Sequence, residues 1–252
     1  MQNMPEIFVA NWKMNQRHAE AASFAEQTCT LAADISSSNK QLVLCPSFPS
    51  LVDVATITSE SLVTVGAQDC SAYADGPYTG QVSATMIADA GCSYCIVGHS
   101  ERRRELNESP ETVAQKTARA VEGTLAPIIC IGETLTERNN GHTFSILEAQ
   151  LNPIITALTQ CQVSASDACI AYEPVWAIGT GVVPEETALI EVFSWLANYI
   201  STTDSLRTAT LLYGGSVTAE NGAAIMGIEQ INGLLIGGAS IDFQSFRKIV
   251  LL

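Results

Sequence analysis

Eight short runs of apolar, β-prone residues recur along this chain: Ile7–Ala10, Gln41–Cys45, Val63–Ala67, Tyr94–Val97, Pro127–Ile131, Cys169–Tyr172, Thr210–Tyr213 and Gly233–Ile236. Each run is continuous rather than alternating, the pattern of a parallel strand covered on both faces. Parallel neighbours cannot be joined by a hairpin and need a crossover, usually a helix. Stretches with helical spacing do separate the runs. The clearest covers residues 185–200, where Leu189, Val192, Phe193, Leu196 and Ile200 share one face and Pro184, Glu185 and Glu186 mark the start. Eight strand–helix units in 252 residues predict an α/β fold, a closed single-domain (β/α)8 barrel over residues 1–252, since one such barrel takes about 250 residues. A doubly wound open sheet is the alternative. No Pro/Ser-rich linker or low-complexity tract divides the chain, and the units repeat at irregular intervals, unlike a solenoid.

Composition limits what such a barrel can bind. The formal net charge of −14 argues against a general nucleic-acid binder, which needs a basic surface. An anionic ligand would need a local positive pocket made by a few cations and backbone N–H groups. The segment Met1–Glu6 has neither a basic n-region nor a long apolar stretch, and no apolar run approaches the roughly 18 residues of a membrane span. The expectation is a soluble, cytoplasmic protein. Its eight cysteines are scattered and sit mostly in apolar contexts, as reduced core thiols do. Cys92-Ser93-Tyr94-Cys95 is formally C-x-x-C, but no second pair or His pair completes a metal site, and Cys95 opens a buried run.

In a barrel of this kind, chemistry collects at the C-terminal ends of the strands. The residues just after each run are Asn11-Trp12-Lys13, Gln68, Gly98-His99-Ser100-Glu101, Gly132-Glu133, Glu173, Gly214-Gly215-Ser216 and Gly237-Gly238-Ala239-Ser240. Polar and ionisable groups thus ring one rim. The two glycine pairs follow runs seven and eight, where backbone N–H groups can approach a phosphate closely; the bland alternative is two tight turns. His99 follows a Gly and precedes Ser100-Glu101-Arg102-Arg103, which can open a helix behind it, and a helix N-terminus favours a neutral ring. A structural histidine is the competing reading. His18 and His142 lie in polar segments and receive no role. Arg102-Arg103-Arg104 reads as structural ion pairing.

Glu173 ends the sixth run and is followed by Pro174, the apolar Val175-Trp176-Ala177-Ile178, and glycines 179 and 181. That order reads as strand, acid, stiff hinge, apolar flap and flexible hinge. Burial under such a flap can tune a carboxylate's basicity.

Taken together, Asn11-Trp12-Lys13-Met14-Asn15, Gly66-Ala67-Gln68, Gly98-His99-Ser100-Glu101-Arg102-Arg103, Cys130-Ile131-Gly132-Glu133, Tyr172–Gly181, Tyr213–Val217 and Gly237–Ser240 closely resemble the triose-phosphate isomerase family, from Phe8 to near the C-terminus. The resemblance implies a TIM barrel and the interconversion, in glycolysis and gluconeogenesis, of dihydroxyacetone phosphate and D-glyceraldehyde 3-phosphate without cofactor or metal. By matching position it implies Glu173 as the base, His99 as a neutral polariser of the carbonyl, Lys13 as fixed positive charge and Asn11 as a positioner of the substrate oxygen. Phosphate would be held by backbone N–H groups at Gly179, Ser216, Gly237 and Gly238. Glu101 would support His99, and Ile178 would close over Glu173 against Leu235. The family forms homodimers, and Gly76–Gln81 matches the loop that enters the partner's site, with Thr79 at the tip.

Two positions depart from the family pattern. Gln81 stands where the family usually has Glu, which predicts loss of an ion pair near Arg102 and a weaker dimer. After Gly181 the flap reads Val182-Val183-Pro184, about two residues short, which predicts altered hinge kinetics. Other phosphate-handling barrel enzymes fit less well: no late run carries a Schiff-base Lys, and three scattered histidines supply no metal-aldolase ligand set. A binding protein on an inactive barrel is the remaining alternative, and the presence of Lys13, His99 and Glu173 speaks against it.

Overall fold

The computed structural model describes residues 5–165, 167–179 and 183–252. Its strands are β1 (Glu6–Asn11), β2 (Lys40–Cys45), β3 (Val63–Ala67), β4 (Tyr94–Val97), β5 (Ala126–Ile131), β6 (Cys169–Tyr172), β7 (Thr210–Tyr213) and β8 (Gly233–Ile236). All pair in parallel in sequence order, and β8 returns to β1, with Val9 opposite both Val43 and Leu235. The closed barrel excludes the doubly wound alternative. The strands match the eight apolar runs, with one-residue extensions at Glu6, Asn11, Lys40 and Ala126.

Between the strands run the helices α1 (His18–Asp34), α2 (Leu51–Thr58), α3 (Ala84–Asp89), α4 (Ser100–Leu106), α5 (Pro110–Glu122), α6 (Leu135–Asn139), α7 (Thr143–Gln160), α8 (Glu186–Ser201) and α9 (Ala219–Met226), and α10 (Phe243–Val250) follows β8. Local chemistry sets several of their starts. Ser109 accepts the Thr112 N–H ahead of Pro110, and Thr134 forms a reciprocal cap with Glu137. The helix expected over residues 185–200 begins at Glu186, with Glu185 as its extended N-cap, and buries the predicted face of Leu189, Val192, Phe193, Leu196 and Ile200. No described helix is long and apolar enough to cross a membrane.

Alternate side chains of the strands enter two separate cores, β3 presenting Thr64 and Gly66 on the inner side. Ile7, Val9, Val43, Cys45, Ile96, Ile128, Cys130 and Leu235 fill the barrel. Phe8, Ala10, Leu42, Leu44, Val97 and Ile129 face the helices, and each of these fully buried side chains larger than Ala contributes about 1.5–3 kcal/mol. Cys92 and Cys95 are buried free thiols, and Cys95 lies within β4. Because all strands run the same way, Asn11, His99, Glu173, Gly214 and Gly237 emerge at one rim.

Candidate active site

A cavity of about 320 Å³ at this rim takes in Asn11, Lys13, His99 and Glu173 together with Ile178, Gly179, Ser216, Leu235, Gly237 and Gly238. Every residue assigned above to catalysis or phosphate thus reaches one space. A cavity of about 430 Å³ at the opposite mouth has Asp167 as its one charged wall residue among those described, so it lacks an acid–base pair.

Lys13 sits at φ 54°, a left-handed conformation that a lysine adopts only under constraint. Its N–H donates to Asn11 Oδ1 (3.0 Å), and its carbonyl accepts from Gln68 Nε2 (2.8 Å), which also donates to Cys45 O (2.9 Å). These bonds aim the side chain across the rim, where Nζ meets Glu101 Oε1 at 2.6 Å.

His99 caps α4: its Nδ1 accepts the Glu101 backbone N–H at 3.2 Å. An accepting Nδ1 assigns the neutral ring with its proton on Nε2. Nε2 faces the cavity, 3.0 Å from Glu173 Oε1. Burial opposes a charged imidazole, but the adjacent Glu173 carboxylate outweighs it and raises the His99 pKa, with Lys13 pulling the other way. That upward pull lasts only while Glu173 stays against the ring, whereas the α4 N-terminus favours the neutral form throughout.

Glu173 is 2% exposed. Its Oε2 accepts the Ser100 N–H at 2.9 Å. Its Oε1, despite the nearby Nε2, has no aligned hydrogen-bond donor among the described residues. Burial pushes this carboxyl up, yet His99, the Ser100 N–H and Lys13 together hold it below its ordinary value. A weakly basic, buried carboxylate with one free oxygen therefore faces an N–H donor and a cation across a space of ligand size.

The opposite wall is backbone. Gly237 leads into the 3-10 turn Gly238–Ser240, and Gly179 has φ 69°. A Cβ on Gly237 would lie 3.0 Å from Lys13 Cε, so the ammonium stem runs directly over the turn. Of the flap, Val175–Ala177 forms a 3-10 turn and Ile178 lines the cavity. Thr180, Gly181 and Val182, the first residue of the shortened hinge, lie outside the described residues.

Three predicted residues do not line the cavity: Glu101, which pairs with Lys13, and Thr79 and Gln81. Thr79 and Gln81 belong to an exposed loop over residues 73–81, where Tyr73 and Tyr78 stack at 4.3 Å and Gln81 accepts from Ser71 Oγ. Arg102 pairs with Asp69 (2.8 Å) and Glu108 (2.7 Å) of its own chain. Arg103 departs from the ion-pair reading, since it donates to the carbonyls of Gly98 and Cys130.

Sequence reasoning put Gln68 and Glu133 on the rim without a role. Gln68 holds the Lys13 backbone. Glu133, fully buried, accepts from Tyr172 Oη (3.1 Å), the flap's Trp176 Nε1 (3.3 Å) and Arg138 Nη1 (3.3 Å), while Arg138 also lies 5.2 Å above the Trp176 ring. The ion-pair quartet of buried Asp69 and Lys116 with half-buried Glu108 and Arg102 was also missed. A Lys on the apolar face of α5, beside Val113 and Ala120, was its one visible signal. Among the described residues no three His, Cys, Asp or Glu side chains gather as metal ligands would.

Comparison with known proteins matches this geometry to a family. The triosephosphate isomerase family model matches residues 6–252. The triosephosphate isomerase of Endomicrobium trichonymphae is 41% identical over 246 residues, covering 97% of each chain. That of Lawsonia intracellularis is 37% identical over 252 residues, covering 98% of each. That of Aquifex aeolicus is 38% identical over 249 residues, covering 98% of this chain and 99% of the relative. A barrel closed in this order, a carboxylate–imidazole–lysine rim and full-length similarity of this degree agree: the chain belongs to the triosephosphate isomerase family.

Proposed function

We propose that this barrel interconverts dihydroxyacetone phosphate and D-glyceraldehyde 3-phosphate, with Glu173 as the base. The observation that carries the reading is the undonated Glu173 Oε1 set 3.0 Å from His99 Nε2, in one cavity with Lys13 and the glycine wall. The chemistry asks for those groups. A carboxylate takes the proton from C1 of the ketose as the carbonyl electrons move onto oxygen, giving an enediolate. The neutral His99 Nε2–H donates to that oxygen, and protons pass between the two substrate oxygens through the ring. Glu173 then returns its proton to C2. Atoms and electrons balance within the substrate.

Lys13 supplies fixed positive charge to the dianion and the enediolate, and Asn11 orients the reacting oxygen. The N–H groups of Gly179, Ser216, Gly237 and Gly238 hold the phosphate, so an acidic protein binds an anion by local donors rather than overall field. Closure of Ile178 toward Leu235 moves Glu173 off the Ser100 N–H, keeps the carboxylate dry and keeps water from the enediolate.

A coupled assay tests the assignment. Glu173→Gln is expected to fold normally and lose roughly 10²–10⁴-fold in kcat, the usual contribution of a positioned base. A folded variant near the wild-type rate refutes the assignment.

The reading extends to assembly and location: one catalytic domain, in the cytoplasm, as a homodimer. The hollow beside the site, walled by Glu101, Phe48, Leu106 and the 96%-exposed Met14, receives the Thr79 tip of a second copy, and Gln81 weakens that contact by carrying no charge to Arg102. Analytical ultracentrifugation is expected to give twice the 26.8 kDa of the chain. A fully active, stable monomer at assay concentration contradicts the dimer.

A further inference from the structure

Lys13 is one of two left-handed residues in the segment between β1 and α1; the other is Gln16, at φ 63°. Glycine or asparagine suits such a position, and a long side chain there calls for a compensating contact. The contact is on the neighbouring β8 segment: Gln16 Nε2 donates to the carbonyl of Ile241, the residue that ends the 3-10 turn Gly238–Ser240. A second, weaker contact joins the same two segments: Ser240 Oγ, whose proton is directed to Ile236 O or Gly237 O (2.8 Å each), packs 3.4 Å from Asn11 O. The two links bracket Lys13 in sequence, at Asn11 before it and Gln16 after it. Between them the Lys13 side chain passes over Gly237.

We infer that Gln16 is a positioning residue: it fixes the β1 loop to the β8 turn and so sets the distance between the Lys13 ammonium and the N–H groups of Gly237 and Gly238. Gln16 does not line the cavity, so it acts through Lys13 and the turn. An anion held jointly by an ammonium and by backbone N–H groups is bound well only when both stay in register; Gln68 holds Lys13 to the β2–β3 side, and Gln16 ties the same loop to the β8 turn. The inference rests on the reading of this cavity as a triose-phosphate site.

The test compares wild type, Gln16→Gly and Gln16→Met. Gly removes the tie and relieves the left-handed strain; Met keeps length and strain but cannot donate. The measurements are kcat and KM for D-glyceraldehyde 3-phosphate, the competitive inhibition constant of inorganic phosphate, and Tm. Both variants are expected to raise KM and the phosphate constant together, by about three- to tenfold, and to lower kcat because Lys13 also faces the enediolate, and Gln16→Gly does so with Tm unchanged or higher. A merely structural residue would move Tm and leave the phosphate constant alone. Either variant folded with both constants at wild-type values overturns the inference. Failure of the functional reading is separate: it appears as a wild-type chain that does not isomerise.

Discussion

Gly214 offers the sharpest probe of Glu173, because it alters the placement of the carboxylate without touching its chemistry. Gly214 follows β7, and its N–H donates to Tyr172 O at 2.8 Å, which fixes its backbone. A Cβ there would sit 2.9 Å from Glu173 Cγ, with Tyr172 O at 3.5 Å and Leu235 Cδ2 at 3.6 Å. Carbon pairs rest at about 3.5–4.0 Å, so a methyl group forces the Glu173 methylene back by roughly 0.6–1.1 Å. Gly214 is not among the residues at positive φ, so alanine adopts the backbone without strain and the effect stays in the side chain. A misplacement of about 1 Å at a reacting group costs on the order of 10²-fold in rate, equal to about 2.7 kcal/mol of barrier. Overpacking costs a further ~1–3 kcal/mol of stability, which lowers Tm by roughly 2–12 °C in a chain of this size. For Gly214→Ala the coupled assay is therefore expected to show kcat/KM down about 100-fold in a protein that melts cooperatively. Inorganic phosphate should bind within about twofold of wild type, because its donors stay in place. A folded Gly214→Ala with kcat/KM within about threefold of wild type would mean that the Glu173 methylene packed against Gly214 does not set the reach of the base.

Lys116 bridges Asp69 (2.7 and 2.8 Å) and Glu108 (2.5 Å) while almost fully buried. Lys116→Met keeps the packing of the stem but leaves two carboxylates on Arg102 alone. Urea unfolding should show a loss of about 3–5 kcal/mol, and a midpoint at the wild-type value would refute the pairing. The buried thiols and phenols set an alkaline limit. Burial pushes Cys92 and Cys169 from 9.0 up to about 12 and Tyr94 from 10.0 up to about 12. Folded pKa values above the unfolded ones mean that the unfolded chain releases these protons first. Stability is then fully present below pH ~9 and declines as pH rises toward about 12. The urea midpoint should fall clearly between pH ~8.5 and ~10.5; a flat profile over that span would contradict the burial.

The strands were legible because eight apolar runs of near-constant length have few other uses in a chain of this size, and the rim followed from strand direction alone. What stayed hidden was which side of each strand faces where. Ile7 and Val9 fill the barrel while Phe8 and Ala10 lie under the helices, yet all four are apolar, so no alternation marks the inner layer. Polar residues were harder still. Gln68 and Glu133 occupy rim positions in sequence, but their roles come from partners far along the chain: Lys13 lies 55 residues from Gln68, and Trp176 lies 43 residues from Glu133. A carboxylate's neighbours, unlike its position after a strand, are set only when the barrel closes.

Glu173 makes the same point. Its place beneath an apolar flap argues for a carboxyl made more basic by burial, and burial is indeed complete. Yet the group is held below its ordinary pKa, because His99, the Ser100 N–H and Lys13 favour the charge more than the missing water penalises it. Dryness alone therefore does not make this acid a base. The contacts that keep Glu173 ionised also keep it weak, and of these the Ser100 N–H bond is the one a small swing of the side chain can break. A flap that draws Oε2 away from Ser100 while excluding water would leave the desolvation and remove part of the compensation. Basicity then rises only when substrate is enclosed, and in the open site the carboxylate stays charged and parked. On this argument the residue behind His99 governs the base as much as the flap above it. Ser100→Pro, which removes the N–H at a helix position where proline is tolerated, should raise the Glu173 pKa in the free protein. The acid limb of kcat/KM should move to higher pH, and an unmoved limb would place the control of basicity entirely in the flap.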